Sequence, residues 1–243
     1  MPVAPGFCDP QLDIVRFQYE LRHLTRALND RRKIKIVAIG SSSTAGEGDV
    51  IPFPHRVELA LRKRFPDRMI DVLNRGIGGQ EAPEELARFE SDVFAEAPAL
   101  VIWQVGTNAI YHRDLYDPPS VATTVATGVS WLKGLETDIL LMDLQYAPIL
   151  LEQHEQDTKL MVSLIASVAR KAEVNLFRRF DLMQQWEKDG LAPNAMFGSD
   201  GLHQNDFSTN CVAQSLDLAI GTAVGAIPAA PAVRNGVIAV PHA

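Results

Sequence analysis

Apolar residues recur at Ile14, Phe17, Leu21, Leu24 and Leu28 behind the pair Asp9-Pro10. That spacing predicts one amphipathic helix, opened by a capping side chain and a proline suited to a first turn. The period then changes. Lys33–Gly40 is short, β-branched and closed by glycine, and predicts a strand. Val57, Ala60, Leu61 and Phe65 mark a helix, Met69–Leu73 a second strand, and Leu86, Phe89, Val93 and Phe94 a helix stopped by Pro98. The segment from Ala99 to Val105 is the most continuously apolar and predicts a central strand, because parallel strands are buried on both faces. A helix over about 121–135, a strand over 138–143, a helix through Met161, Leu164, Ile165 and Val168, a short strand at 174–177 and a last helix over 206–223 complete the pattern.

Strands alternating with helices imply right-handed crossovers. The expected fold is therefore a three-layer α/β/α domain around a mostly five-stranded parallel sheet. Residues 1–32 form a helical segment packing on it, 33–225 the domain itself, and 226–243 a Pro/Ala-rich tail.

Composition narrows the function classes. The formal charge of −7 argues against nucleic acid or an anionic membrane surface as partner, since both require a basic face. The basic runs at 31–33 and 62–64 read as cations complementing helix ends. No apolar run reaches the length of a membrane span, and Met1–Asn29 has no signal-peptide pattern. A cytoplasmic location is the default expectation, and a periplasmic or secreted one applies if the chain is a processed form. Cys8 and Cys211 read as two free thiols in a reducing cytosol, with a disulfide as the alternative that implies an oxidising compartment. No Cys-x-x-Cys occurs and the histidines are scattered, so no metal site is expected.

In open parallel sheets, ligands bind beyond the carboxyl ends of the strands. The first strand runs into Gly40-Ser41-Ser42-Ser43-Thr44-Ala45-Gly46. Taken alone, this loop could equally be a capped turn, a phosphate cradle or the seat of a nucleophilic hydroxyl. The second strand leads to Ile77-Gly78-Gly79, which can bring backbone amides close to a ligand, and the third to Gly106-Thr107-Asn108, whose amide can donate to a developing negative charge. Asp200-Gly201-Leu202-His203 supplies an imidazole and, three residues earlier, a carboxylate able to orient it. Each fragment alone has an ordinary structural reading as turn or cap. Together they converge on one rim of the sheet, which is the logic of a Ser–His–Asp hydrolase.

In these four blocks and their order, the chain resembles the SGNH/GDSL hydrolases over about Ile34–Ala223. The resemblance implies a flavodoxin-like fold and a serine esterase that needs no cofactor. It implies Ser42, Asp200 and His203 as catalytic residues, and an oxyanion hole of the Ser42 and Gly79 amides with the Asn108 side chain. One departure stands out: Ser41 occupies the place where the family usually has aspartate. Few insertions interrupt the core, so an open site for short acyl groups is expected, with O-acetylated carbohydrate first and lysophospholipid or thioester second. Tyr111, Gln145 and Tyr146 follow strand ends as candidates to line the pocket, while Trp103 reads as core. A small-molecule or glycan ester is the expected partner. Two rivals of another class remain open: a flavodoxin-like cofactor-binding domain and a non-catalytic carbohydrate-binding one.

Overall fold

A computed structural model describes residues 8–225, and the tail expected at 226–243 lies outside them. Five strands, β1 (Lys33–Gly40), β2 (Met69–Gly76), β3 (Leu100–Gln104), β4 (Asp138–Met142) and β5 (Asn175–Phe177), pair in parallel in the order β2-β1-β3-β4-β5. Every residue of β3 is buried, as its continuous apolar run predicts for the middle of a covered sheet. Helix Phe53–Arg64 packs against helix Asp206–Ala223, and Pro118–Leu132 against Pro148–Ala172, so the sheet is flanked by paired helices.

After β1 the chain adds β2 on one side, then returns to place β3 on the other. The loops leaving β1 and β3 therefore diverge at the switch point of the sheet, where a crevice opens. Trp103 is fully buried in β3. It meets Phe89 edge-to-face at 4.8 Å and donates its indole N–H to Glu85 Oε2 at 2.7 Å.

Three expectations are corrected. The stripe from Ile14 to Leu28 forms two helices, Leu12–Val15 and Arg22–Asp30, rather than one. The Asn175 side chain accepts from the Tyr19 N–H and donates to the Tyr19 carbonyl, both at 2.9 Å, and holds that residue out of helical pairing. Helices Arg179–Lys188 and Pro193–Met196 occupy a stretch in which the apolar pattern predicts none. Finally, Cys8 and Cys211 are joined in a disulfide across a Cα separation of 5.5 Å, where free thiols are the default expectation. Helix Leu12–Val15 packs on helix Asp206–Ala223 and brings the two sulfurs together.

Candidate active site

The loop after β1 turns directly into the short helix Ser42–Ala45, which places Ser42 at its first residue, 7% exposed. Gln104, at the end of β3, holds this loop from below. Its Oε1 accepts from the Ser41 N–H at 3.0 Å, the Ser41 hydroxyl at 3.0 Å and the Thr44 hydroxyl at 3.1 Å. Ser41 thus donates twice into the sheet and braces the turn in the position where the GDSL pattern has aspartate.

His203 arrives from the loop before helix Asp206–Ala223. Its Nε2 lies 3.0 Å from Ser42 Oγ, and its Nδ1 lies 2.6 Å from Asp200 Oδ2. A carboxylate only accepts, so Asp200 fixes the Nδ1–H tautomer and leaves Nε2 free to accept from the Ser42 hydroxyl. Asp200 Oδ1 also takes the Leu202 and His203 amides at 3.0 Å each. Partial burial alone would raise the Asp200 pKa. The hydrogen bonds from the His203 ring and these two amides outweigh it and hold the carboxyl below its usual range.

The Gly78-Gly79 backbone faces Ser42, since a Cβ built on Gly78 would stand 3.9 Å from the Ser42 Cβ. Among the described residues, neither the Ser42 nor the Gly79 N–H is given to an acceptor. Asn108 is buried and donates one amide hydrogen to the Gln80 carbonyl at 2.8 Å, leaving the second for another acceptor. The helix Thr107–Tyr111 that carries it is pinned by Glu81, whose carboxylate accepts from the Gly106 and Ala109 amides at 2.9 Å each.

Glu81 and Glu85 are both buried. Desolvation raises the Glu81 pKa against the pull of its backbone donors, and desolvation together with the Glu81 charge raises that of Glu85 well above the ordinary value. Asp143, after β4, is pushed by burial up to about 7, and burial lowers its neighbour Arg179 to about 10.

The expected pocket residues separate. Ser42, Gly79, Asn108, Asp200 and His203 come together at the switch point. Gln145 is only 1% exposed and cannot line an open surface; its amide is taken up by buried partners behind the site. Tyr146 packs edge-to-face on Phe180, and its hydroxyl stands by Glu187, toward helix Arg179–Lys188. Tyr111 is exposed beside His112. Instead Ser43, Gly46, Glu47, Val50, Gln204 and Thr209 surround a hollow of about 40 Å³ against Ser42 and His203. Glu47 reaches within 3.8 Å of His203 Nε2. Gln104, Glu81 and Arg179 brace these loops from behind, and the sequence does not announce them, because a polar residue at a strand end or helix start normally reads as solvent-facing. No described helix is long and apolar enough to cross a membrane, and among the described residues no cluster of three or more His, Cys, Asp or Glu is placed to hold a metal ion.

Residues 7–226 match the model of the "Non-GDSL lipase-like family". The expected resemblance holds at the level of a lipase-like family, and the matching model is the non-GDSL one, in keeping with Ser41 where the GDSL pattern has aspartate. Among solved structures the fold is shared with the acetylxylan esterase Axe2 from Geobacillus stearothermophilus (TM-score 0.66, 20% identity, 77% of this chain and 94% of that one). It is also shared with LAE5, an alpha/beta hydrolase enzyme from the metagenome of Lake Arreo, Spain (TM-score 0.64, 21% identity, 81% and 97%). A curated relative, the uncharacterized lipoprotein YqeF of Bacillus subtilis, is 31% identical over 90 residues, which are 36% of this chain and 37% of that protein.

Proposed function

The chain belongs to the non-GDSL lipase-like family, and on that premise we propose that it is a serine hydrolase of SGNH type that cleaves carboxylic esters. The observation that carries the reading is the continuous run from Asp200 through His203 to Ser42, at 2.6 and 3.0 Å, beside two unengaged backbone amides. His203 Nε2 takes the Ser42 proton as Oγ attacks the ester carbonyl. The resulting oxyanion is received by the Ser42 and Gly79 N–H groups and the free Asn108 amide hydrogen, donors that need no rearrangement during the reaction. The imidazolium, stabilised by Asp200, returns the proton to the leaving alcohol. Water then releases the acid from the acyl-enzyme by the same route.

The small hollow beside Ser42 favours a short acyl group, with O-acetyl on carbohydrate as the substrate class. Axe2 is named an acetylxylan esterase, and its described catalytic mutants replace a serine, an aspartate and a histidine, the last two separated by three positions as Asp200 and His203 are here. The Cys8–Cys211 bond favours an oxidising compartment outside the cytosol, in accord with the lipoprotein name of the Bacillus relative.

A fluorophosphonate probe and p-nitrophenyl esters from C2 to C12 test the reading. Wild type should label and prefer C2, and Ser42→Ala should lose labelling and at least about a thousandfold in kcat. Labelling that survives in Ser42→Ala overturns the nucleophile. A preference for long chains reassigns the substrate to lysophospholipid or long-chain thioester, and no reaction at all leaves a non-catalytic binding domain.

A further inference from the structure

One buried side chain touches the immediate neighbours of three site residues. Gln145, just after β4, accepts on Oε1 from the Thr107 hydroxyl at 2.8 Å, from Arg179 Nη2 at 2.8 Å and from the Ser43 hydroxyl at 3.3 Å. Its Nε2 donates to the Leu202 carbonyl at 3.2 Å. Ser43 follows Ser42, Thr107 precedes Asn108, and Leu202 precedes His203. The three loops leave β1, β3 and the segment before the final described helix, so they are far apart in the chain.

The orientation of the Gln145 amide is set by its partners. A guanidinium only donates and a carbonyl only accepts, so the oxygen must face Arg179 and the nitrogen must face Leu202. Arg179 is itself held fast, 1% exposed, with its Nε donated to the Asp143 carbonyl at 3.0 Å. A carbonyl oxygen that serves three donors, one of them cationic, is strongly polarised, and the weakest of the three bonds is the one to Ser43.

Resting on the esterase reading, we propose that Gln145 is a positioning residue that sets the nucleophile, oxyanion and histidine loops in register, and so governs the Ser42–His203 alignment. Its contribution falls on kcat, because it is buried and makes no surface for substrate. The chemistry of the side chain separates its links. The change Gln145→Glu is isosteric: the carboxylate keeps an oxygen for Thr107, Ser43 and Arg179, and Arg179 compensates its charge. Assayed above about pH 7, where the neighbouring buried Asp143 is ionised, the carboxylate sets a second acceptor against the Leu202 carbonyl and so severs only the link to the histidine loop. Methionine at the same position keeps the length and severs every link. A misplacement of about 1 Å at reacting atoms is enough to cost about a hundredfold in rate.

The experiment compares Gln145→Glu and Gln145→Met with wild type by steady-state hydrolysis of p-nitrophenyl acetate, by the fluorophosphonate labelling rate, and by near-UV circular dichroism to establish folding. For Gln145→Glu we expect kcat and labelling rate to fall about tenfold with KM within twofold, and for Gln145→Met a fall of about a hundredfold. Folded variants with wild-type kcat and only a lowered Tm overturn the proposal, as does a raised KM with unchanged kcat. Should Gln145→Met not fold, Gln145→Glu decides. Inert, unlabelled wild type removes the esterase reading itself, a result distinct from active wild type with indifferent variants.

Discussion

The two halves of the proposed Ser42–His203 contact are held in different ways. The nucleophile loop belongs to the sheet: Ser41, Ser42 and Thr44 are buried, and Gln104 of β3 accepts three of the loop's hydrogen bonds. The histidine loop is tied to the rest of the domain by fewer and longer bonds, from the Gln145 amide to the Leu202 carbonyl at 3.2 Å and from the Ile149 N–H to the Gly201 carbonyl at 3.3 Å. A lone antiparallel bridge joins Phe197 to Gln204, Gly198 donates to the His203 carbonyl at 2.9 Å, and the Asp200 and His203 side chains are 49% and 32% exposed. The difference teaches where damage should appear. Changes on the nucleophile side should cost stability first, and changes on the histidine side should cost rate first.

The largest effect tests the rigid half. A Cβ on Gly76 would collide with the Ala45 nitrogen and lie 2.6 Å from its Cα, both backbone atoms beneath the nucleophile turn. Gly76→Ala should therefore cost at least about 3 kcal/mol in urea denaturation, or yield no soluble protein. A loss under about 1 kcal/mol would break the comparison.

Next comes the covalent tie between the two ends of the described fold, which belongs to neither loop. Reducing the Cys8–Cys211 bond releases a constraint on the unfolded chain and should cost about 2–4 kcal/mol, a fall in Tm of roughly 5–15 °C in melts with and without reductant. Coincident melts would contradict this.

The third uses one acid from each side. Burial lifts Asp143, on the sheet side, from 3.8 to about 7. Between those values the native state holds a proton that the unfolded chain has lost, so stability falls as pH rises through this window and levels off above about 7. Asp200, held below its usual range, has the opposite sign: its contribution is present above the unfolded pKa and lost as pH falls through the folded one. Urea midpoints between about pH 5 and 7 should slope downward. Asp143→Asn should flatten the curve by up to about 1.4 kcal/mol per pH unit, and an unaltered slope would contradict the burial argument.

The smallest stability effect should accompany a rate effect. Gly201 has φ +64, yet a Cβ there would meet nothing nearer than 3.8 Å. Gly201→Ala should cost only about 1 kcal/mol, as backbone strain without a clash. Because the strain falls between Asp200 and His203, kcat should drop more than Tm suggests. Wild-type kcat in this variant would show the histidine loop to be as firmly set as its partner.

What could be read in the sequence follows the same division. The residues named for chemistry sit in loops whose glycines and hydroxyls are unusual in composition, and the structure brings Ser42, Gly79, Asn108, Asp200 and His203 together. Strands were legible because β-branched runs such as Ile34–Ile39 admit few other conformations. The supporting layer was not. Gln104 resembles any polar residue closing a strand, and Gln145, expected to line the pocket, turns inward instead; only tertiary placement shows one amide serving several loops. Arg179, buried beside Asp143, begins an entire helix that the apolar pattern missed. The split of the first helix depends on Asn175, a contact at a sequence distance no local period can register.

The Cys8–Cys211 bond has a consequence beyond stability. It spans 203 positions and closes the chain into a covalent ring that contains all five residues of the proposed chemistry. A protease that cuts one exposed loop inside this ring releases no fragment. Both pieces stay attached through the sulfurs, with the packed sheet to hold their ends in place. On a gel without reductant, the nicked protein would run as a single species. For an enzyme working among proteases, the bond makes a first cut survivable.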